Sequence, residues 1–359
     1  MRKKNRYVTK GAAGTAFFFM IIDGFSQYLE LKEEGKSFWK NLDLNRAFKA
    51  GAKGLVIGGL LGYILYKVHQ WEERDLPFCP DNHLHKVLNI HSAQSDAKFV
   101  STAKKLIREL KEKLAFEFGN DLVDKPLDFG SSKTKTAIGG SSDFDILVPF
   151  KKNVGTIVDL YEDVHEFMVD NYESDFFDIR KQRHSVGLTF DDGEVCVHVD
   201  VVPARERNNY QETGDVTILR RSKGFWETPT YIKTNIWKKR NVVVNQPETR
   251  RIVKLMKIYR GAANFYLNSP VVLALVKEAM DKNMGYINSS IYNNWTLAMG
   301  YVADQLQTRT RVTDIANSNN NLLEKVSQNQ RNSIIARIFK DLESLEKSPQ
   351  YLKEIFEIE

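Results

Sequence analysis

Two carboxylates stand at the start of a hydrophobic segment and limit the folds that this chain can adopt. A predicted strand ends at Gly130-Ser131, and a second predicted strand, 143–150, begins after eleven intervening residues with Asp143 and Asp145. Alternate side chains of a strand share a face. We therefore expect both carboxylates to point to one side of a sheet while the apolar residues between and after them enter the core.

Carboxylates at this spacing repel each other unless a cation lies between them. Their hard oxygen atoms suit Mg²⁺ or Mn²⁺, whose coordination is usually completed by phosphates and water. Gly130 permits close approach of the backbone, and the Ser131 hydroxyl with nearby N–H groups is suited to phosphate oxygens. The pattern predicts a metal and phosphate site.

A third carboxylate is expected on a neighbouring strand, and residues 194–202 provide it. Valines at 195, 197, 199 and 201 alternate with Cys196, His198 and Asp200. An acidic side chain on a mostly apolar strand needs a partner, because burying it alone costs several kcal/mol. Asp200 is therefore the predicted third metal ligand, and His198 is expected to support it rather than to bind metal.

The combination of Gly130-Ser131, Asp143-x-Asp145 and Asp200 resembles the signature of the polymerase-β-type nucleotidyltransferase superfamily. More narrowly, the chain resembles the bacterial CD-NTases, relatives of oligoadenylate synthase and cyclic GMP-AMP synthase. The chain departs from that family at Lys135, where glycine is usual. The segments that carry the resemblance are 136–138, 142–145, 200–204, 226–229, 250–259 and 314–321.

The resemblance implies an α+β fold with a polymerase-β-like palm, a mixed sheet and a helical C-terminal domain. It also implies two-metal nucleotidyl transfer, with Asp143 and Asp145 bridging both ions and Asp200 binding the ion at the attacking hydroxyl. Ser142 is a further candidate for nucleotide binding. On the helix around residues 250–259, either Lys254 or Lys257 would contact the triphosphate.

The resemblance implies a template-independent, metal-dependent enzyme, which we expect in the cytoplasm. It would make a cyclic or short linear oligonucleotide signal from NTPs or dNTPs in anti-phage defence, and a downstream effector would respond to the product. A second hypothesis keeps the chemistry but modifies tRNA or a protein hydroxyl, as toxin-like transferases do. A third hypothesis is a membrane-associated nucleotide sensor without catalysis.

The first 80 residues have no counterpart in that resemblance. Small residues recur every four positions at Ala50, Gly54, Gly58 and Gly62, a spacing that lets helices approach closely. We therefore predict a helical hairpin, 1–78, that supports oligomerisation or docking; membrane association is possible but not favoured. The other predicted domains are a catalytic domain, 84–210, and a helical domain, 211–359.

Composition agrees with a globular enzyme that binds anions. Of 359 residues, 42% are hydrophobic and 27% charged, which excludes a fibrous or wholly disordered chain. Lys+Arg 52 against Asp+Glu 46 gives a net charge of +6, which suits a nucleotide but does not require nucleic acid. The two cysteines, Cys79 and Cys196, suggest no disulfide framework and favour a reducing cytosol.

Overall fold

The computed structural model describes residues 78–92, 97–139, 143–174, 177–222, 228–283 and 290–358. The predicted N-terminal hairpin falls almost entirely outside these residues. The helices are α1 (Pro80–Ile90), α2 (Ala97–Phe118), α3 (Gly130–Lys133), α4 (Ile157–Tyr172), α5 (Tyr210–Thr213), α6 (Ile236–Asn241), α7 (Pro247–Ala262), α8 (Ser269–Lys282), α9 (Ile291–Thr308), α10 (Gln328–Lys347) and α11 (Leu352–Ile355). The strands are β1 (Leu127–Phe129), β2 (Phe144–Phe150), β3 (Phe177–Lys181), β4 (Val186–Asp191), β5 (Cys196–Glu206), β6 (Asp215–Arg220), β7 (Thr230–Asn235), β8 (Thr313–Asp314) and β9 (Asn317–Asn321).

The described chain forms two compact units. The sheet unit contains residues 88–254 and 313–321, and the helical unit contains residues 78–87, 255–312 and 322–358. The main sheet extends beyond residue 210, because β6 and β7 continue it. The domain limits 84–210 and 211–359 stay a prediction.

The main sheet has seven strands in the order β1-β2-β5-β4-β3, and β6 joins β5 to β7. Strands β2 and β5 are parallel, and the other neighbouring pairs are antiparallel. The predicted α+β class with a mixed sheet is therefore confirmed. Parallel pairing needs a long connection, and here the chain passes through α4, β3 and β4 between the two strands.

One face of the sheet packs against α2 and α4. Strand β5 supplies Val197, Val199 and Val201 to this core, and β2 supplies Ile146 and Val148. The alternate residues Cys196, His198 and Asp200 lie on the opposite face, as the period of two requires. Burial of the valine face thus fixes the direction in which the acidic residue points.

The α4 helix begins with a capping box. Thr156 accepts a hydrogen bond from the N–H of Asp159, whose carboxylate accepts one from the N–H of Thr156. Its apolar side is fully buried at Leu160, Tyr161 and Val164. A cap of this kind contributes about 1 kcal/mol and sets where the helix starts. Because the cap sets the first residue of α4, it also sets the position of Tyr161 along the helix against the sheet.

The helical unit is organised around Asp341, a fully buried carboxylate of α10. It accepts hydrogen bonds from the Tyr259 hydroxyl at 2.7 Å, the Arg337 guanidinium at 2.7 Å and the Tyr351 hydroxyl at 3.1 Å. Burial, followed by this contact with Asp341, raises the pKa of Tyr259 above its ordinary value. Three donors satisfy the buried charge, which explains how an acidic residue is tolerated there.

The sequence-based prediction located most of the long elements. The three- and four-residue spacing of apolar residues predicts helices over 154–171, 249–260, 269–280, 291–306 and 328–345, and these correspond to α4, α7, α8, α9 and α10. Strands β3, β6 and β7 were not predicted, and β5 continues to Glu206 rather than ending at residue 202. Within the described ranges, every helix falls short of the length or the apolarity needed to cross a membrane.

Candidate active site

Two of the predicted acidic residues lie side by side on β2 and β5, and the third lies at the start of β2. Asp145 and Asp200 are direct partners in the parallel register, so their side chains lie on the same face of adjacent strands. Asp143 lies one residue before β2 and is exposed. The structure therefore places Asp200 on the strand next to Asp145, and its role as a metal ligand stays a prediction.

Asp200 lies in an environment that disfavours its negative charge. Burial, followed by the nearby charge of Asp143, raises the pKa of this carboxyl to about 6. The side chains of Gln182 and Ser185, together with the charge of Arg180, act in the opposite direction without cancelling the rise. A cation between Asp143 and Asp200 would remove their repulsion and favour the ionised form.

The turn after β1 is built against Asp145. Phe129, the last residue of β1, pairs with Asp145, and Gly130 follows in a left-handed conformation with a φ of 68°. A Cβ atom at position 130 would lie 2.7 Å from Cγ of Asp145 and still closer to Oδ2. The turn therefore requires glycine for its backbone and for the space that the carboxylate occupies.

Ser131 holds the loop together through its carbonyl oxygen. This oxygen accepts hydrogen bonds from the N–H groups of Thr136 at 2.9 Å and Ala137 at 3.1 Å. Thr134 lies beneath the loop, is buried, and donates its hydroxyl to the carbonyl of Gly130 at 3.0 Å. The Ser131 hydroxyl has no hydrogen-bond partner among the described residues, so it stays available to a ligand oxygen.

Lys135 adopts a left-handed conformation in the same loop, with a φ of 57°. This conformation favours glycine, which explains why glycine is usual at this position in the family that the chain resembles. The side chain is exposed. Lysine at this position therefore carries a steric cost that glycine would not have.

Replacing Lys135 with glycine is expected to raise the free energy of unfolding by about 0.5–1 kcal/mol, because it removes the steric cost of a side chain in this region. Chemical denaturation measures the change. Asn209→Gly is the matched comparison, since Asn209 has a φ of 64° but asparagine tolerates this region better. An equal or larger gain at Asn209 would contradict this explanation of Lys135.

His198 is oriented by its neighbours rather than by the acidic residues. Its Nδ1 lies 3.0 Å from Oγ1 of Thr189, the residue opposite it on β4, and its Nε2 lies 3.5 Å from Sγ of Cys196. Burial, followed by the charge of Asp191, raises the pKa of the exposed Cys196 thiol. A thiol of this kind is a poor nucleophile, so this pair does not indicate cysteine catalysis.

The two candidate lysines of α7 differ in their surroundings. Lys254 is half-buried and belongs to the sheet unit, and burial followed by the charge of Arg250 lowers its pKa. Lys257 is buried and belongs to the helical unit. Ser142 lies outside the described residues. The structure therefore does not select which lysine binds a triphosphate.

On the β4 side, Asp200 has neighbours that the sequence analysis did not identify as site residues. Gln182 and Ser185 belong to the turn between β3 and β4, and Gly187 is the direct partner of Asp200 on β4. No motif marks these residues, because they become neighbours of Asp200 only when the two antiparallel strands pair.

The oxygen atoms of the three carboxylates are ligands that suit Mg²⁺ or Mn²⁺. In this structure, however, the three side chains do not point to a common position. No three histidine, cysteine or acidic side chains of the described residues lie close enough together to hold one ion. Neighbouring strands are about 4.8 Å apart, so rotation of side chains would bring the carboxylates of Asp145 and Asp200 to a common ion. The carboxylate oxygens and the charge repulsion at Asp200 favour such an ion over an empty site.

Comparison with known proteins identifies relatives only at the level of structure. No protein-family model and no curated sequence matches the chain. Among solved structures, CdnG, a CD-NTase of Bradyrhizobium diazoefficiens in complex with GTP, is similar over 78% of this chain and 95% of its own, with a TM-score of 0.62 and 12% identity.

Two further solved structures are similar to the chain. CdnC of E. coli MS115-1, in complex with HORMA-deltaN, matches 77% of this chain and 96% of its own, with a TM-score of 0.59 and 14% identity. The CdnE cyclic dinucleotide synthase of Elizabethkingia meningoseptica, with GTP and Apcpp, matches 75% of this chain and 99% of its own, with a TM-score of 0.55 and 14% identity. The chain therefore has the CD-NTase fold, a fold of the polymerase-β-like nucleotidyltransferases.

Proposed function

We propose that the protein is a metal-dependent nucleotidyltransferase that makes a cyclic or short linear oligonucleotide from NTPs or dNTPs without a template. The observation that carries this proposal is the parallel register of Asp145 and Asp200, with Asp143 close enough to raise the pKa of Asp200. The nucleotides in the similar structures and the synthase activity named for CdnE support the choice of substrate and product.

The chain's own residues have distinct roles in this reaction. Asp143, Asp145 and Asp200 would hold Mg²⁺ or Mn²⁺, which when bound would lower the pKa of the attacking hydroxyl and neutralise charge on the pyrophosphate that leaves from the donor nucleotide. Asp200 is the candidate acceptor for the proton of that hydroxyl, because it would hold the ion at the attacking oxygen. Gly130 and Ser131 would hold the donor phosphates, as would Ser142, and Lys254 or Lys257 would bind the triphosphate.

We place this activity in the cytoplasm and in anti-phage defence, with an effector that responds to the product. The predicted domain limits and the oligomeric or docking role of residues 1–78 belong to the same proposal. The family resemblance supports the defence role, and the sequence favours a reducing compartment.

Transfer to tRNA or to a protein hydroxyl is the second candidate. The basic residues that would form an RNA-facing surface are Lys238, Lys239, Arg240, Arg250 and Arg251. Arg250 donates to the carbonyl of Val244 at 2.6 Å, and Arg251 pairs with Glu248 at 2.5 Å. Because both guanidinium groups already have partners in the same chain, we favour the soluble product.

The deciding experiment incubates the purified protein with mixed NTPs and dNTPs and with Mg²⁺ or Mn²⁺, followed by mass spectrometry. A soluble oligonucleotide and pyrophosphate, formed without added RNA, are expected. Label that appears only on added tRNA or on a protein would favour the second candidate. Nucleotide binding without pyrophosphate release would favour the nucleotide sensor, which also requires membrane association that is lost when residues 1–78 are deleted.

A further inference from the structure

A glycine on β4 leaves space beside Asp200. Gly187 is the direct antiparallel partner of Asp200, so a side chain at position 187 would point to the same side of the sheet as the carboxylate. A Cβ atom there would lie 3.1 Å from Cδ of Gln182 and closer still to Nε2. The amide group of Gln182 therefore occupies the space next to Asp200 that the glycine leaves open.

Ser185 sets the orientation of this amide. The buried Ser185 donates its hydroxyl to Oε1 of Gln182 at 3.0 Å. Because Oε1 accepts this hydrogen bond, the NH₂ edge of the amide is the edge left for the carboxylate. Hydrogen bonding from the side chain of Gln182 lowers the pKa of Asp200 and so favours its ionised form.

A buried tyrosine holds the turn that carries both residues. Tyr161 of α4 is fully buried, and its hydroxyl lies 3.0 Å from the carbonyl oxygen of Gln182 and 2.7 Å from that of Ser185. The N–H of Gln182 also donates to the carbonyl of Ser185 at 2.9 Å. The guanidinium of Arg221 lies 5.2 Å from the centre of the Tyr161 ring. The turn is thus fixed from the core rather than by the solvent-exposed surface.

We propose that Gln182, oriented by Ser185, is a positioning residue that holds the Asp200 carboxylate toward Asp145 and the metal. The inference rests on the proposed function, since it assigns a role at the same site. Groups that hydrogen-bond to metal-binding carboxylates typically change metal affinity or activity 10–100-fold when they are removed. Gln182 and Ser185 would supply this second layer on the β4 side, opposite β2.

Replacement of Gln182 by methionine tests this role, because methionine has a similar shape but donates no hydrogen bond. Mn²⁺ affinity is measured by calorimetry on the full chain without nucleotide. We expect the Mn²⁺ dissociation constant to rise by about 10–100-fold. The metal concentration for half-maximal pyrophosphate release should rise in parallel, while the maximal rate recovers at excess metal. Gln211→Met, at an exposed glutamine of the same unit, is the matched control and should change neither value.

Two further variants keep the proposal testable if Gln182→Met does not fold. Ser185→Ala frees the amide to rotate, and Gly187→Ala forces it away from Asp200, so both should weaken Mn²⁺ binding more than Gln211→Met does. Wild-type Mn²⁺ affinity in the folded variants would overturn the role of Gln182. If the wild-type protein and Asp200→Asn bind Mn²⁺ equally, the metal site itself, and with it the proposed function, is wrong.

Discussion

Replacement of Asp200 by asparagine is expected to lower pyrophosphate release by at least about a thousandfold, equivalent to about 4 kcal/mol in the barrier. Asparagine keeps the size of the side chain but removes a negative charge that the metal needs and the proton acceptor for the attacking hydroxyl. Asp143→Ala should have a comparable effect. Release of pyrophosphate from labelled NTPs measures both.

The same substitution should not destabilise the metal-free protein. Burial and the charge of Asp143 raise the pKa of Asp200 to about 6, so the ionised carboxylate costs the folded state at most about 3 kcal/mol at neutral pH. Asparagine removes this cost, and the free energy of unfolding should be equal to or above that of the wild type. Asp170→Asn, at an exposed aspartate of α4, is the matched control and should leave activity unchanged. An Asp200→Asn protein that unfolds yet keeps its specific activity would refute the assignment.

Replacement of Gly130 by alanine is expected to lower activity at least about a hundredfold, equivalent to about 3 kcal/mol in the barrier. The added Cβ would overlap the Asp145 carboxylate and must displace it from its position beside the turn. Activity and Mn²⁺ affinity should fall together, since a displaced carboxylate no longer shares an ion with Asp200.

Gly193→Ala separates this displacement from backbone strain. Gly193 lies between β4 and β5 with a φ of 84°, and a Cβ atom there would meet nothing within 4 Å. Both alanine variants should lose about 1–2 kcal/mol of stability, because both place a side chain in a left-handed conformation. Only Gly130→Ala should lose activity. Equal kinetic effects in the two variants would show that strain, rather than Asp145, is responsible.

The acidic residues on the strands were predictable from the sequence. On these strands, apolar and acidic residues alternate with the period of two that separates the two faces of a strand. Alternation in β5 places Val199 in the core and Asp200 on the opposite face, and the Asp-x-Asp spacing does the same for β2. Each strand carries a pattern strong enough to assign its own faces. That the two strands are neighbours followed from the chemistry of a shared cation rather than from periodicity.

The strands that the sequence analysis did not predict show a weaker alternation of apolar and polar residues. In β3, only Phe177 and Ile179 are partly buried, and the other three residues are polar and exposed, as is common at a sheet edge. Gln182 and Ser185 follow that edge strand, and their relation to Asp200 depends on the register of β4. Register is a property of two strands, so a single segment contains no signal for it.

Each of the two units is assembled from separate segments of the chain, which limits how the protein can be truncated. The chain changes unit after residues 87, 254, 312 and 321, and the short return segment 313–321 is tied to the sheet unit by a hydrogen bond from Asn235 to the carbonyl of Ala316 at 3.0 Å. A nascent chain on the ribosome therefore lacks part of the sheet unit until residues 313–321 have been synthesised. Truncations that stop near residue 254 would omit this piece, and a split reporter or a circular permutant would be a better tool than a simple deletion for studying either half.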